Sequence, residues 1–235
     1  MRKTQPKLKP KRNFAALRAA KEVSSSSSSG QLLRSESLPE LARAFYNRDP
    51  RQVARELLGK ILLRRFGRQI ISGRIVEVEV YLGGGDLAAH AAFGLTPRNA
   101  VLFGPPGHAY VYLSYGLHYC LNVSCMPQGD AGCVLFRALE PMTGLGAMAR
   151  NRGLALLDIS HPRVLASGPA RLCQAFGITR LRDNGKDLTA PKSDLRIVND
   201  GFAADSIVTT KRIGITKSPE LPLRYYISGS EFVSK

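Results

Sequence analysis

The sequence predicts a single α+β domain built on a mainly antiparallel sheet and preceded by a basic arm. The chain has 235 residues, and its apolar fraction of 44% is enough for one sizeable core. Several runs alternate between apolar and polar residues as strands do, and shorter helical patterns flank them. No helix of crossover length separates the central strand-like runs, which favours antiparallel pairing over a doubly wound parallel sheet.

Residues 1–35 form a basic segment that contains a serine run, "SSSSSSG", at 24–30. Nine lysines and arginines stand against Glu22 alone in residues 1–34, which gives this segment half of the formal net charge of +16. The segment has too few apolar residues to form a core of its own. We therefore expect a disordered arm at 1–35 and the folded domain at 36–235. The body is also basic, which favours nucleic acid as the partner over an anionic membrane surface or a general gain in solubility.

The chain carries no sign of a membrane or secretory segment. It has no run of about 18 apolar residues, and its charged N-terminus lacks the apolar stretch of a signal peptide. An intracellular protein without a membrane partner is expected. Four cysteines lack the spacing of a zinc site, so reduced and mostly buried thiols are favoured over disulfides or a metal: Cys120, Cys125, Cys133 and Cys173.

Two short helices and then a strand are predicted from residue 38 onwards. The runs "LPELARAFYN" and "DPRQVARELLGKIL" place apolar residues three and four apart, and Asp49 followed by Pro50 is typical of a helix N-terminus. The next run, "IISGRIVEVEVYLGG", alternates strictly. Its core face is predicted to carry Val76, Val78 and Val80, and its other face Ile75, Glu77, Glu79 and Tyr81.

The remaining elements follow from the same patterns. Strands are predicted in "AYVYLSYGLHYCLNVSC" and "AGCVLFRALEP", with turns at Gly116 and in "PQGDAG". A helix is predicted from Met142 to Arg150 and another in "SGPARLCQAFGI". A late strand pair is predicted around "TTKRIGIT" and "LPLRYYIS".

Glu77 and Glu79 are the first candidates for chemistry. Alternate side chains of a strand lie roughly 6.5–7 Å apart, so the two carboxylates share a surface without touching. On a solvated face they would have no function, but in a cleft one of them could act as a general base toward water. Arg137, near the end of the apolar run "GCVLFRAL", must be paired or must project into a polar cleft.

His90 and the turn "TPRN" are further candidates. A lone histidine is either a structural hydrogen-bonding group or an acid–base group. The turn is predicted to present Arg98 and Asn99 to solvent or to a phosphate. Signatures of phosphate loops, dinucleotide folds, zinc enzymes and nucleophile elbows are missing from the sequence.

Four of the eight tyrosines lie within "YVYLSYGLHYCLN", residues 110–122. An enzyme that acts on a DNA base takes the base out of the stack and holds it between aromatic faces. Tyr110 and Tyr112 share one strand face, and Tyr115 next to Gly116 falls at a predicted hairpin tip, where a bulky side chain could wedge open a minor groove. A tyrosine-rich strand pair packed on the core explains the pattern equally well.

Six segments carry a resemblance to one known family. In this order and spacing they closely resemble the alkyladenine (3-methyladenine) DNA glycosylase family, from about Phe45 to Ser234: "RIVEVEVYLG", "AAH…TPRN", "FGPPGHAYVYLSYGLHYCLNV", "GCVLFRALEP", "SGPARLCQAFGI" and "RIGITK…LPLRYY". The resemblance implies a base-excision repair enzyme that hydrolyses the N-glycosidic bond of alkylated or deaminated purines without lyase activity. Its implied substrates are 3-methyladenine, 7-methylguanine, hypoxanthine and ethenoadenine. It also implies a monomer that acts on double-stranded DNA, a curved antiparallel sheet with a DNA-inserting hairpin, and no metal or organic cofactor.

The resemblance implies a role for each matching residue. It implies that Glu79, not Glu77, is the general base and that Arg137 helps to hold the attacking water. It implies that Tyr115 intercalates into DNA and that Arg98 contacts the DNA backbone. The implied base pocket consists of Tyr81, His90, Tyr112 and Asn122, with His90 hydrogen-bonding the purine and Asn122 crowding the exocyclic amine of guanine.

Two departures from the family pattern are visible. Where the family commonly has Glu-Thr-Glu-Ala-Tyr, this chain has Val78 and Val80, which are expected to change packing rather than chemistry because they face the core. The glycine-rich "GGGDLAAHAAFGL" differs from more polar family versions and leaves the substrate range open.

Two other functions would use the same residues. A non-catalytic reader of damaged nucleic acid would bind without releasing a base, and the retained Glu79 and Arg137 speak against it. A carbohydrate glycosidase with Glu77 and Glu79 as its acid pair explains neither the charge nor the tyrosines. The expected compartment is the cytoplasm, at the nucleoid, in a bacterium and the nucleus in a eukaryote; the arm either adds DNA affinity or acts as a targeting signal.

Overall fold

One antiparallel sheet organises the protein. The computed structural model describes residues 38–155 and 160–234, so the arm predicted at 1–35 lies outside the described residues. The strands of the sheet are β1 (Ile61–Phe66), β2 (Gln69–Leu82), β3 (Ala109–Ser114), β4 (His118–Cys125), β5 (Gly132–Thr143), β6 (Leu195–Val198), β7 (Ile207–Thr210) and β8 (Arg224–Ile227).

The strand order is β3-β4-β5-β2-β1-β6, and every pairing is antiparallel. The long strand β2 also pairs with β8, which in turn pairs with β7, so the sheet curls around β2. This curled antiparallel sheet with helices around it confirms the predicted α+β class.

Short helices cover the sheet. They are α1 (Arg43–Tyr46), α2 (Pro50–Leu57), α3 (Leu145–Asn151), α4 (Arg163–Ala166), α5 (Pro169–Ala175) and α6 (Arg180–Asp183), with a 3₁₀ helix at Ala100–Phe103. Helix α2 begins as predicted, because Asp49 accepts a hydrogen bond from the Arg51 backbone N–H at 2.8 Å and Pro50 occupies the first turn. Helices α2 and α5 pack on the sheet and close the main apolar core.

A β-bulge in β2 breaks the predicted alternation. The pairing with β5 shifts register between Ile75 and Val78. Ile75 therefore packs in the main core together with Val78 and Val80, whereas Val76 lies in a separate apolar cluster. The predicted directions of Ile75 and Val76 were wrong, because an inserted residue reverses side-chain direction across the bulge. The core positions of Val78 and Val80 are confirmed.

The helix predicted from Met142 begins later, at Leu145. Strand β5 continues pairing with β2 up to Thr143, and Gly144 then adopts a φ of +78°. A Cβ atom at Gly144 would lie 2.6 Å from the Ile70 carbonyl oxygen, so only glycine fits where the chain leaves the sheet. The late run "TTKRIGIT" is also only partly a strand, because β7 ends at Thr210.

Strands β3 and β4 pair as a hairpin, with Gly116 in the turn where a turn was predicted. Ser114 pairs with His118, and the Leu117 backbone N–H donates to the Ser114 carbonyl at 3.0 Å across a tight turn. Within 38–155 and 160–234, no helix is long and apolar enough to cross a membrane.

Candidate active site

A cavity of about 460 Å³ opens beside the β3–β4 hairpin, at the ends of β2 and β5. Its volume and its largely apolar and aromatic wall with a few polar groups are typical of a ligand site. Seven of the eight predicted site residues line the cavity: Tyr81, His90, Arg98, Tyr112, Tyr115, Asn122 and Arg137.

Glu79, the eighth predicted residue, lies fully buried directly behind this wall. Its Oε1 accepts a hydrogen bond from the Ile213 backbone N–H at 2.8 Å, and Arg137 Nη1 lies 3.1 Å from the same oxygen. Its Oε2 accepts a hydrogen bond from the Tyr81 hydroxyl at 3.0 Å. Since Tyr81 and Arg137 both border the cavity, a water molecule that contacts them is within reach of this carboxylate.

Arg137 links the two glutamates. Its Nε donates to Glu77 Oε1 at 2.9 Å, its Nη1 faces Glu79, and its Nη2 donates to the Ser234 hydroxyl at 3.2 Å. Burial alone would lower the pKa of Arg137, but the charges of Glu79 and Glu77 outweigh burial and raise it. A permanent cation is thus fixed at the cavity wall.

Glu77 is buried and fully engaged, so neither carboxylate lies on a solvated face. Its Oε1 accepts from Arg137, from Arg224 Nε at 2.7 Å and from the Ser234 hydroxyl at 2.9 Å, and its Oε2 accepts from the Ser234 backbone N–H at 2.6 Å. Four donors hold Glu77, and two of its partners, Arg224 and Ser234, are not among the residues that line the cavity, so Glu77 serves as an anchor for Arg137.

The Tyr81 hydroxyl keeps its proton. Burial first, and then the nearby Glu79 carboxylate, raise the pKa of Tyr81 well above its ordinary value. The hydroxyl is therefore a hydrogen-bond donor to Glu79 at any pH at which a protein is handled.

Three aromatic rings form one side of the cavity. The centroid of the His90 ring lies 4.5 Å from that of Tyr112, and the Tyr110 centroid lies 5.7 Å from that of Tyr112. His90 Nδ1 is 2.8 Å from the Tyr110 hydroxyl, which leaves Nε2 for a ligand. Burial, and then the charge of Arg98, lower the pKa of His90, so its ring is uncharged at neutral pH.

Asn122 is fixed in the floor of the cavity. It is buried, and its Nδ2 donates to the Tyr110 carbonyl at 3.1 Å, while the Cys133 thiol lies 3.7 Å from its Oδ1. An amide held from both ends cannot move aside to admit a larger ring.

The "TPRN" turn presents one of its two predicted residues. Arg98 is exposed at the cavity, 5.9 Å from the Tyr112 centroid. Asn99 is buried instead, so its predicted exposure was wrong. Its amide donates to the His90 carbonyl at 2.8 Å and to the Gly94 carbonyl at 3.0 Å, and it thereby shapes the loop that carries His90.

Tyr115 stands at the tip of the hairpin with 89% of its surface exposed. Its φ of +49° is in the left-handed region, and Gly116 follows with a φ of +70°. The left-handed conformation of a large aromatic residue lowers the stability of the fold, and an exposed ring buries no apolar surface that would offset this loss.

The described residues offer no site for a metal ion, since no group of three or more potential ligands occurs among them. The four cysteines are free and buried, as predicted.

Comparison with known proteins decides the family. The pattern of the methylpurine-DNA glycosylase family matches residues 44–231. The chain belongs to this family. It is 64% identical to a Koribacter versatilis protein named "putative 3-methyladenine DNA glycosylase", over 84% of this chain and 94% of that protein. Proteins of the same name from Rhodopseudomonas palustris and Methanoculleus marisnigri are 49% and 47% identical, over 84% and 83% of this chain and 92% and 98% of theirs.

Membership of the methylpurine-DNA glycosylase family confirms the resemblance drawn from the sequence. Its members are DNA glycosylases, hydrolases that act on N-glycosyl bonds, and DNA is their substrate. In this family member the structure brings all eight predicted site residues to a single cavity and its wall.

Sequence reasoning missed three contributors to the site. Tyr110 was placed on one strand face with Tyr112 but was given no role in the base pocket, yet its hydroxyl bonds His90. The Ile213 backbone N–H carries no side-chain signal at all. Arg212 lay in a predicted strand and was given no role. A signal for it exists in the sequence: an arginine in apolar surroundings needs a partner, and Asp86, also in apolar surroundings, is the residue it pairs with.

Proposed function

We propose that the protein removes alkylated or deaminated purines from duplex DNA, including 3-methyladenine, 7-methylguanine, hypoxanthine and ethenoadenine, by base flipping and attack of water. The observation that carries this proposal is the buried Glu79 carboxylate, held by Ile213, Tyr81 and Arg137 behind the wall of an aromatic cavity. The protein works as a monomer and leaves the DNA strand intact.

Binding begins with the DNA backbone. The net charge of +16 attracts duplex DNA through its phosphates, and the exposed Arg98 contacts the backbone beside the cavity. Tyr115 enters the minor groove and fills the gap that the extruded nucleotide leaves. Its exposure and left-handed backbone support this role.

The flipped base is held between the rings of Tyr81, His90 and Tyr112. Electron-rich tyrosine faces attract cationic alkylated purines by about 0.5–2 kcal/mol. The uncharged His90 offers Nε2 as a hydrogen-bonding group toward the purine. Asn122 blocks the exocyclic amine of guanine, because its own amide is held in place by the Tyr110 carbonyl.

Bond cleavage then follows from Glu79 and Arg137. Arg137 orients a water molecule at the cavity wall, and Glu79 Oε2 takes its proton, since this oxygen has a single donor whereas Oε1 has two partners. The water oxygen bonds to the sugar carbon, the N-glycosidic bond breaks through an oxocarbenium-like state, and the purine leaves with the bonding electrons. None of the described cavity residues is a lysine, whose amine would serve a Schiff-base lyase.

Glu79→Gln tests the proposal. We expect this variant to bind a duplex with hypoxanthine as tightly as the parent protein, but to release the base about 100 to 10,000 times more slowly in single-turnover reactions, since it has lost its general base. Glu56→Gln, which changes an exposed glutamate of α2, is the control and should retain the parent rate. An undiminished rate in Glu79→Gln would refute the role of Glu79.

The same duplex separates the alternatives. Base release produces an alkali-labile site, and strand breaks before alkali treatment would indicate lyase activity. A non-catalytic reader would retain the duplex and produce no alkali-labile site. A carbohydrate glycosidase is disfavoured, because Glu77 is buried against Arg224 and Ser234, which do not line the cavity, and so cannot be the second carboxylate there.

A further inference from the structure

A buried arginine lies behind the wall of the cavity. The side chain of Arg212 is fully buried, and its guanidinium carbon lies 4.7 Å from the centroid of the Tyr81 ring. Arg212 is not among the residues that line the cavity, whereas Tyr81 is. The guanidinium thus covers one face of the Tyr81 ring, and a ligand in the cavity can contact only the other face and the edge of this ring.

Arg212 ties together three segments of the site. Its two terminal nitrogens donate to Asp86 at 2.6 and 2.8 Å, and one also donates to the Val80 carbonyl in β2 at 3.0 Å. Asp86 in turn accepts from the backbone N–H groups of Leu82 and Ala88 at 3.1 Å each, so it fixes the loop that leads to His90.

This ion pair is a poor candidate for a device that only stabilises the fold. Removing two charges from water has a desolvation penalty that often exceeds the attraction between them. Burial alone would lower the pKa of Arg212, but Asp86 outweighs burial and raises it, so the guanidinium stays charged. A permanent cation beside the site calls for a role in geometry or electrostatics.

The next residue along the chain supplies that role. The Ile213 backbone N–H donates to Glu79 Oε1 at 2.8 Å, and the ring that Arg212 covers donates its hydroxyl to Glu79 Oε2. Both hydrogen bonds thus depend on where Arg212 is anchored. We propose that Arg212 is a positioning residue that holds the Ile213 N–H and the Tyr81 hydroxyl on Glu79 and adds a fixed positive charge beside this carboxylate. This inference rests on the proposed role of Glu79 as general base.

The pH dependence of base release should report this role. Glu79 is faced by Arg137 from β5, by Tyr81 from its own strand, by Cys120 from β4 and by Arg212 from the segment after β7. Arg224 on β8 stands opposite Glu79 in the strand register, but its guanidinium pairs with Glu77, and Glu77 and Glu79 share Arg137. Loss of Arg212 removes one cation and loosens two donors, so Glu79 is protonated more easily and the acid limb of the rate profile moves to higher pH.

The test compares Arg212→Met with a matched control. Arg74 makes the same kinds of contact away from the cavity: two nitrogens on Asp200, one on the Gly59 carbonyl, and a guanidinium carbon 4.3 Å from the Phe202 centroid. Arg74→Met therefore removes a comparable set of contacts and should leave the pH profile unchanged.

Single-turnover release of hypoxanthine is measured at saturating enzyme from about pH 5 to about pH 9. For Arg212→Met we expect a rate about tenfold lower near neutral pH and an acid limb about one pH unit higher, a tenfold change in the protonation equilibrium. Duplex affinity should stay within about threefold, a change of under 1 kcal/mol. Arg212→Lys keeps the charge and should restore part of the shift. Where Arg212→Met fails to fold in a thermal melt, Arg212→Gln combined with Asp86→Asn replaces the pair without leaving an unpaired charge and should show the same shift.

Two results would overturn the proposal. A rate for the folded Arg212 variant that falls equally at all pH values would show a merely structural role, and so would a profile identical to that of Arg74→Met. In both cases the parent protein still releases hypoxanthine and Glu79→Gln releases it far more slowly, so the proposed function stands. Absence of release by the parent protein would instead overturn the proposed function and this inference with it.

Discussion

Glu77 and Glu79 lie two residues apart on one strand but have different hydrogen-bond partners. Glu77 accepts four hydrogen bonds and fixes Arg137, Arg224 and the backbone at Ser234. Glu79 leaves Oε2 with the Tyr81 hydroxyl alone. The partners separate the two carboxylates where residue type does not: Tyr81, Ile213 and Arg137, which hold Glu79, all line the cavity, whereas Arg224 and Ser234, which hold Glu77, do not.

Asn122 allows a prediction about discrimination between purines. Replacing Asn122 with alanine removes the amide that the Tyr110 carbonyl holds in the cavity floor. We expect the preference for hypoxanthine over guanine, measured as the ratio of single-turnover release rates, to fall about tenfold or more, since shape selection in a pocket is worth about 1–3 kcal/mol.

Ser124→Ala is the control for this change. Ser124 follows two residues later on β4, is equally buried, and bonds the His108 backbone rather than a ligand in the cavity. It should lower stability without altering the ratio. A ratio that is unchanged in Asn122→Ala would contradict the role of this residue in excluding guanine.

At the scale of elements, the β3–β4 hairpin combines a regular ladder with a strained tip. Turns with positive φ at both central positions favour Asn-Gly, but this turn has Tyr115 before Gly116. A non-glycine residue in this region costs roughly 1–2 kcal/mol. The turn thus carries an exposed tyrosine ring at a position where asparagine would be more stable.

Tyr115→Asn should act in opposite directions on stability and function. We expect the melting temperature to rise by about 2–4 °C, for a gain near 1 kcal/mol, because asparagine fits the left-handed turn. Base release should slow, since no ring enters the stack. Fluorescence of a base analogue next to the lesion reports flipping, and Tyr115→Phe, which keeps the ring, should flip normally. A variant that flips and releases bases at the parent rate would contradict the insertion role.

The elements were predictable where local pattern decides them. Helix α2 and strands β3, β4 and β5 followed from periodicity and turn residues. The resemblance named eight residues that the structure brings to one cavity and its wall, but it gave no site role to Tyr110 or Arg212. The bulge at Val76 was missed: the adjacent apolar residues Ile75 and Val76 break the alternation of "RIVEVEV", but the pairing with β5 decides which of them faces the main core. The Ile213 N–H was invisible for another reason: a backbone donor has no residue type.

At the scale of the whole molecule, charge is divided between the body and the N-terminal segment. Residues 1–34 carry nine basic side chains and Glu22, whereas the site itself uses few cations, chiefly Arg98 and Arg137. Phosphate contacts contribute affinity in proportion to their number and carry no sequence or lesion information. We expect such a division to separate search along DNA from recognition of a lesion.

A full-length variant with all nine basic residues of 1–34 replaced by glutamine tests this division. Each lost phosphate contact should reduce the salt dependence of duplex binding by about 0.9 in the slope of log K against log salt concentration. We therefore expect weaker binding to undamaged DNA, a shallower slope, and an unchanged single-turnover rate at saturating enzyme. A variant with the same residues in shuffled order keeps the charge and should bind like the parent. If the glutamine variant keeps the parent slope, the cations that contact phosphate must all belong to the body.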